Sequence, residues 1–170
     1  GKWFTLRFIG NKHDPYSDIG LVSAQGGEIT NLTNSGYTST SPQWVLDGNA
    51  ILFTTERYGM RAHASWGSLN DAMLVFMNQD AYDKFRLSKE DYELQKELEK
   101  EVTGDKADDK KKEDKADEKK DEKPKDIVVE LKGIQDRILR LTPNSSEMGS
   151  AVISKNGETL YYFSAFEDKY

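Results

Sequence analysis

Three residue types able to carry out acyl transfer crowd one short stretch: His63, Ser65 and Asp71. A hydroxyl nucleophile, an imidazole base and a carboxylate that orients the base are the parts of a hydrolytic triad. A triad is made by convergence in space, however, and nearness along the chain does not supply it. The stretch 61–68 therefore reads as a long connection in which Trp66 serves packing or contact. His13 is the other histidine, and neither histidine stands in an H-x-x-x-H or H-E-x-x-H spacing, so no metal site is expected. The absence of cysteine excludes disulfides, thiolate metal sites and cysteine nucleophiles, and leaves the compartment open. There is no glycine-rich phosphate loop, paired-carboxylate constellation or G-x-S-x-G elbow. The expectation is a chain without catalytic, cofactor-binding or metal-ligating residues.

The elements that would position any side chain come from an internal repeat. Leu32-Thr33 is followed by Asp47-Gly48, and Leu141-Thr142 by Asn156-Gly157, with 16 positions from Leu to Gly in both copies. Asn31-Leu32-Thr33 and Asn144-Ser145-Ser146 match the glycosylation sequon, but repeat consensus explains Leu32-Thr33 better. After each Gly comes a β-rich run, AILFT at 50–54 and TLYYF at 159–163, and residues 1–6 read as the tail of a third copy. Asp47-Gly48 and Asn156-Gly157 have the chemistry of two-residue type I′ turns, whose central residues both need positive φ. That makes hairpins of 43–46 with 50–55 and of 151–154 with 159–164. Further strands are expected at 18–23, 28–32 (after a Gly26-Gly27 turn) and 71–77. Four antiparallel strands per unit of ~45 residues is the pattern of a propeller blade, which needs neighbouring blades to cover its faces.

The units differ in length: Gly1 to Leu32 spans 31 positions and Gly48 to Leu141 spans 93. The surplus begins as helix, with Asn78 placed to cap a turn carrying Tyr82 and Phe85, and Ser88 with Asp91 resembling a capping box. Beyond Val102 no apolar periodicity survives. Of the 170 residues 54 are charged, and 24 of those charges fall in the 31 positions 96–126, with no aromatic among them. The remaining 139 residues carry 30 charges, close to the roughly 25% of an ordinary globular chain. The window mixes signs almost evenly and reads as a solvated loop. Residues 127–131 resume a strand pattern, as a continued third strand or an extra one. A net charge of -6 gives no footprint for nucleic acid, and no apolar run is long enough to span a membrane.

Residues 41–57 (SPQWVLDGNAILFTTER) resemble the WD-like propeller repeat P-x-W-S-P-D-G-K-x-I-A-F-x-S-x-R through Pro42, Trp44, Asp47 and Gly48. Val45 and Leu46 replace Ser-Pro, and the later copy has Ile153-Ser154-Lys155-Asn156-Gly157 instead. The segments 57–61, 63–68, 85–90 and 136–145, with a charged insertion between the last two, are similar to one region of bacterial tricorn-type serine peptidases of the C-terminal processing peptidase superfamily. The resemblance implies two to three blades of an all-β propeller, divided as 1–77, an insertion at 78–126, and 127–170. It implies a non-catalytic segment that guides or filters peptides or unfolded proteins towards a serine peptidase core outside these residues. Partners would then be those substrates, the remaining blades and catalytic domains of the polypeptide, and further copies in a homo-oligomer. A periplasmic location is favoured over a cytoplasmic one. Two other readings stay open: a protein-binding scaffold propeller of the periplasmic translocation type, and the propeller of a prolyl-oligopeptidase-type hydrolase.

Overall fold

In the computed structural model the described residues are 1–10, 16–63, 66–103 and 126–165. The first sheet is β1 (Trp3–Phe8), β2 (Asp18–Ser23) and β3 (Thr30–Asn31), antiparallel in that order. The chain continues through β4 (Ser39–Val45), β5 (Ala50–Thr55), a separate hairpin of β6 (Arg61–His63) and β7 (Trp66–Ser68), and β8 (Asp71–Phe76). After α1 (Gln79–Arg86) and α2 (Lys89–Thr103) comes β9 (Ile138–Arg140), which completes a middle sheet ordered β4-β5-β8-β9. The last sheet pairs β10 (Glu147–Ile153) with β11 (Leu160–Ala165). The described chain is mostly β, built of antiparallel sheets none of which closes on itself.

The three sheets stack, and the middle one is covered on both sides. Alternate residues of a strand point to opposite faces, and here the two sets serve two cores. Ile51, Phe53, Met73 and Val75 pack with Ile19, Leu21 and Leu32 of the first sheet region. Ala50, Leu52, Ala72, Leu74 and Phe76 pack with Ala151 and Ile153 of the last. This explains why β8 is apolar almost throughout and buried at all six positions: a strand with two covered faces has no solvent side to keep polar. Burial of each large side chain is worth about 1.5–3 kcal/mol relative to exposure.

Turn chemistry decides the hairpins. Asp47 (φ 53°, ψ 32°) and Gly48 (φ 86°) occupy the centre of a type I′ turn closed by Asn49 N donating to Leu46 O at 3.0 Å. Leu46 also takes positive φ, so the ladder stops at Val45 opposite Ala50. The expected type I′ turn at Asn156-Gly157 is not formed. There Gly157 N donates to Ser154 O at 2.9 Å and only Gly157 has positive φ. The Asn156 amide oxygen accepts from Ser154 Oγ and Glu158 N, which fixes this other geometry. Pro42 sits where β4 slips register between Thr40 and Gln43, a bulge that needs no N–H from it.

Other expectations shift as well. The strand expected at 28–32 contracts to β3, because Asn31 Oδ1 accepts from Thr33 N and Asn34 N and turns the chain out of the ladder. Residues 127–131 form neither a continued nor an extra strand. They run extended, Glu130 N donating to Met77 O at 2.8 Å, with Ile127 and Val129 packed on the first core. The connection at 61–68 holds the β6–β7 hairpin, in which His63 pairs with Trp66. Both helices form as expected: Asn78 Oδ1 accepts from Ala81 N at 2.8 Å, and Ser88 Oγ from Asp91 N at 3.1 Å.

Candidate functional site

The strand ends that face away from α1 and α2 make one rim of the stack, and the polar side chains of interest gather there. Its foundation is a carboxylate used twice. Asp18 starts β2 and Asp71 starts β8, and both are buried. Thr33 Oγ1 donates to Asp18 Oδ1 at 2.7 Å, and Thr142 Oγ1 donates to Asp71 Oδ1 at 2.7 Å. The residue before each Leu-Thr completes the pattern: Asn31 Nδ2 donates to Asp18 Oδ2 at 2.8 Å, and Arg140 Nε to Asp71 Oδ1 at 3.0 Å. Ladder register agrees too, with Gly20 opposite Asn31 and Met73 opposite Arg140, each two residues after its Asp and one before its Leu. The repeated Leu-Thr is thus a device for fastening an outer strand to the acid that opens its neighbour. The Asn31 amide is occupied in that device, which accounts for its sequon without glycosylation.

This answers the triad question for Asp71. Its Oδ1 is shared by Thr142 and Arg140, whose Nη2 lies 2.8 Å away, and its Oδ2 accepts from Ser145 Oγ at 2.7 Å. Asp71 is committed to β9 and to the turn after it. Ser65, His13 and the side chains of His63 and Trp66 lie outside the described residues. Among the described residues no three acidic or histidine side chains come together to hold a metal ion, and no helix is long and apolar enough to cross a membrane.

The repeat residues are placed as follows. Leu32 and Thr33 are buried, Leu141 packs on the second core and Thr142 is buried. Trp44 packs on the first core, Asp47 is exposed in its turn, and Gly48 lies against Ile127, whose Cδ1 would be 2.6 Å from an added Cβ. Gly157 is approached by Leu46 and Phe85, and Asn156 shapes its own turn. Asp18 went unnoticed in the sequence, although the shared pattern D-x-x-L-V at 18–22 and 71–75 marks it.

Above these buried acids the rim carries arginines on tyrosine rings. Arg61 lies 6.0 Å from the Tyr16 ring centroid and 5.9 Å from that of Tyr37, bridging from the middle sheet's connection to loops of the first sheet. Arg57 and Arg140 lie 5.6 and 5.1 Å from the Tyr58 ring. All four distances are within the range of cation–π attraction. The loops are joined beneath by hydroxyls: Arg7 Nε donates to Ser17 Oγ, which donates to Ser39 O, while Ser39 Oγ donates to Thr55 Oγ1. On the opposite rim a cleft of about 640 Å³ lies between the two helices and the hairpin tips, lined among others by Leu46, Phe85, Tyr92 and Lys155.

Comparison with protein-family models, with curated proteins and with solved structures finds no match to this chain. What the fold defines is a mostly β protein of open, stacked antiparallel sheets.

Proposed function

We propose that the chain is a run of β-propeller blades and forms the non-catalytic, substrate-handling part of a tricorn-type serine peptidase, guiding peptides or unfolded chains towards a catalytic core on other residues of the polypeptide. The observation that carries the propeller reading is repeated face usage. Aligned on Gly1, Gly48 and Gly157, the second strands of the three units use corresponding positions for corresponding neighbours. Ile51 faces the preceding sheet, and its counterpart Leu160 packs on the core shared with the preceding sheet. Trp3, the counterpart of Ala50, packs towards the following sheet. The outer faces continue the series: Phe4, counterpart of Ile51, is 61% exposed, and Tyr161, counterpart of Leu52, is 64% exposed. Each end of the stack thus presents the face that another unit of the same kind would cover, and a ring of typically 4–8 such units is a propeller.

The peptidase assignment rests on the sequence resemblance alone, and the coding sequence beyond Tyr170 tests it. A PDZ-like segment followed by a serine peptidase core is the expected finding. A G-x-S-x-G elbow would place the blades on a prolyl-oligopeptidase-type hydrolase instead, and a stop soon after a final blade would favour a binding scaffold. The chain by itself is expected to show no turnover of casein. Turnover that disappears in Ser65→Ala would overturn its non-catalytic role.

A further inference from the structure

We infer that the arginine–tyrosine rim is a binding site for acidic peptide segments, with Arg57 and Arg61 taking Asp or Glu side-chain carboxylates and Tyr37 and Tyr58 contacting the peptide beside them. Both arginines are exposed, and among the described residues neither has a carboxylate within ion-pair distance. The described acids of the rim leave both arginines unpaired: Glu147, exposed beside the Asn70–Ser146 bridge, makes no ion pair with either. Asp18 and Asp71 are buried under their Thr, Asn, Ser and Arg donors, and Glu56, half-buried beside Arg57, pairs with neither arginine. Arg140 differs in kind, because its guanidinium is held by Asp71.

The geometry favours carboxylate recognition. A guanidinium stacked on a ring keeps its edge free, and that edge is the fork that meets a carboxylate with two parallel N–H donors. Arg61 has cation–π contacts with the rings of Tyr16 and Tyr37, which favour one placement of its side chain before anything binds. Exposed tyrosine beside arginine is the composition enriched where proteins contact proteins. The two arginines offer a place for one or two carboxylates, whereas the chain's net charge of -6 opposes a dense polyanion such as nucleic acid.

The inference deepens the peptide-handling reading by naming a substrate class, and rests on that reading for its biological sense. The probe is a fluorescent, N-acetylated and C-amidated Gly/Ser decapeptide carrying one Asp and one Glu, compared by anisotropy with its Asn/Gln counterpart. The rim stands at the strand ends, apart from the outer sheet faces, so association of the chain through those faces leaves it open and binding is scored per chain. The acidic peptide is expected to bind about tenfold more tightly, with affinity falling as salt rises. The Arg57→Gln/Arg61→Gln double variant should lose that margin, and Arg61→Lys should lose part of it, since charge remains but the planar fork does not. Lys155→Gln, on the opposite rim, should change nothing. If the double variant does not fold, Arg57→Gln alone decides, because Arg57 is exposed and its ring contact is with Tyr58. Equal binding of both peptides, or an undiminished margin in the arginine variants, overturns the acidic preference and leaves peptide handling standing. Binding of neither peptide overturns both. Inorganic phosphate that displaces the peptide at equal concentration would assign the site to phosphate and overturn the inference.

Discussion

Asp18 and Asp71 show two ways of keeping a buried carboxylate. Asp18 is held by neutral donors from Asn31, Thr33 and the Ser35 backbone, whereas Asp71 has the cation of Arg140 as well as two hydroxyls. Removing one donor leaves a buried acceptor short, which costs about 1–3 kcal/mol. Thr142→Val is therefore expected to destabilise the chain by about that amount in urea unfolding, and Thr142→Ser by less, because it keeps the hydroxyl. Gly59 offers a steric counterpart. A Cβ there would stand 1.7 Å from the Leu69 carbonyl oxygen, a backbone atom that cannot swing aside. Gly59→Ala should cost on the order of 3 kcal/mol, and circular-dichroism melts would show it. The Thr residues were legible in the sequence as half of the repeat, but their partners were not, because the Leu-Thr signal says nothing of what the hydroxyl touches. The rim was illegible for a related reason: Arg61 meets Tyr16 and Tyr37 only after two sheets have stacked.

At the scale of elements, side-chain caps and turns set most boundaries. Asn78→Ala removes the donor's partner at the start of α1 and should lower stability by about 1 kcal/mol. The effect belongs to the second core, because α1 places Tyr82 and Phe85 with ring centroids 5.6 and 5.1 Å from that of Phe76. Removing residues 108–119 should shift the melting temperature little, since loop-closure entropy changes by only about 0.6 kcal/mol per doubling of loop length. A fall of many degrees would show that these residues pack on the sheets. The helices were readable because caps and apolar spacing are local signals. Asp47-Gly48 was readable because both residues tolerate positive φ, while Asn156 was misread because its side chain bonds Ser154 and Glu158 and stabilises another turn. β6 and β7 have three residues each and no alternation to betray them.

The described residues form a stack whose two outer sheets each leave one face open to solvent. Tyr161 and Phe163 on the outer face of β11 are 64% and 66% exposed, and Phe4 at the other end is comparably open. Apolar sheet faces of this kind drive association, so the isolated chain should sediment as a concentration-dependent oligomer. Tyr161→Glu with Phe163→Glu should shift it towards monomer; a monomer at all concentrations without these changes would contradict the reading of the faces. The stack was foreseeable from the 16-position repeat, which already demanded neighbours on both sides. The way the insertion re-enters the fold was not foreseeable. Arg137, buried behind it, donates to the carbonyl oxygens of Phe76, Lys132 and Glu130, and β9 then pairs with β8. Cleavage by trypsin within the lysine-rich stretch 104–125 would therefore leave two polypeptides already gripped by a buried guanidinium, a β ladder and a shared core. Halves produced separately, 1–103 and 126–170, should find each other and reconstitute the middle sheet without a covalent link.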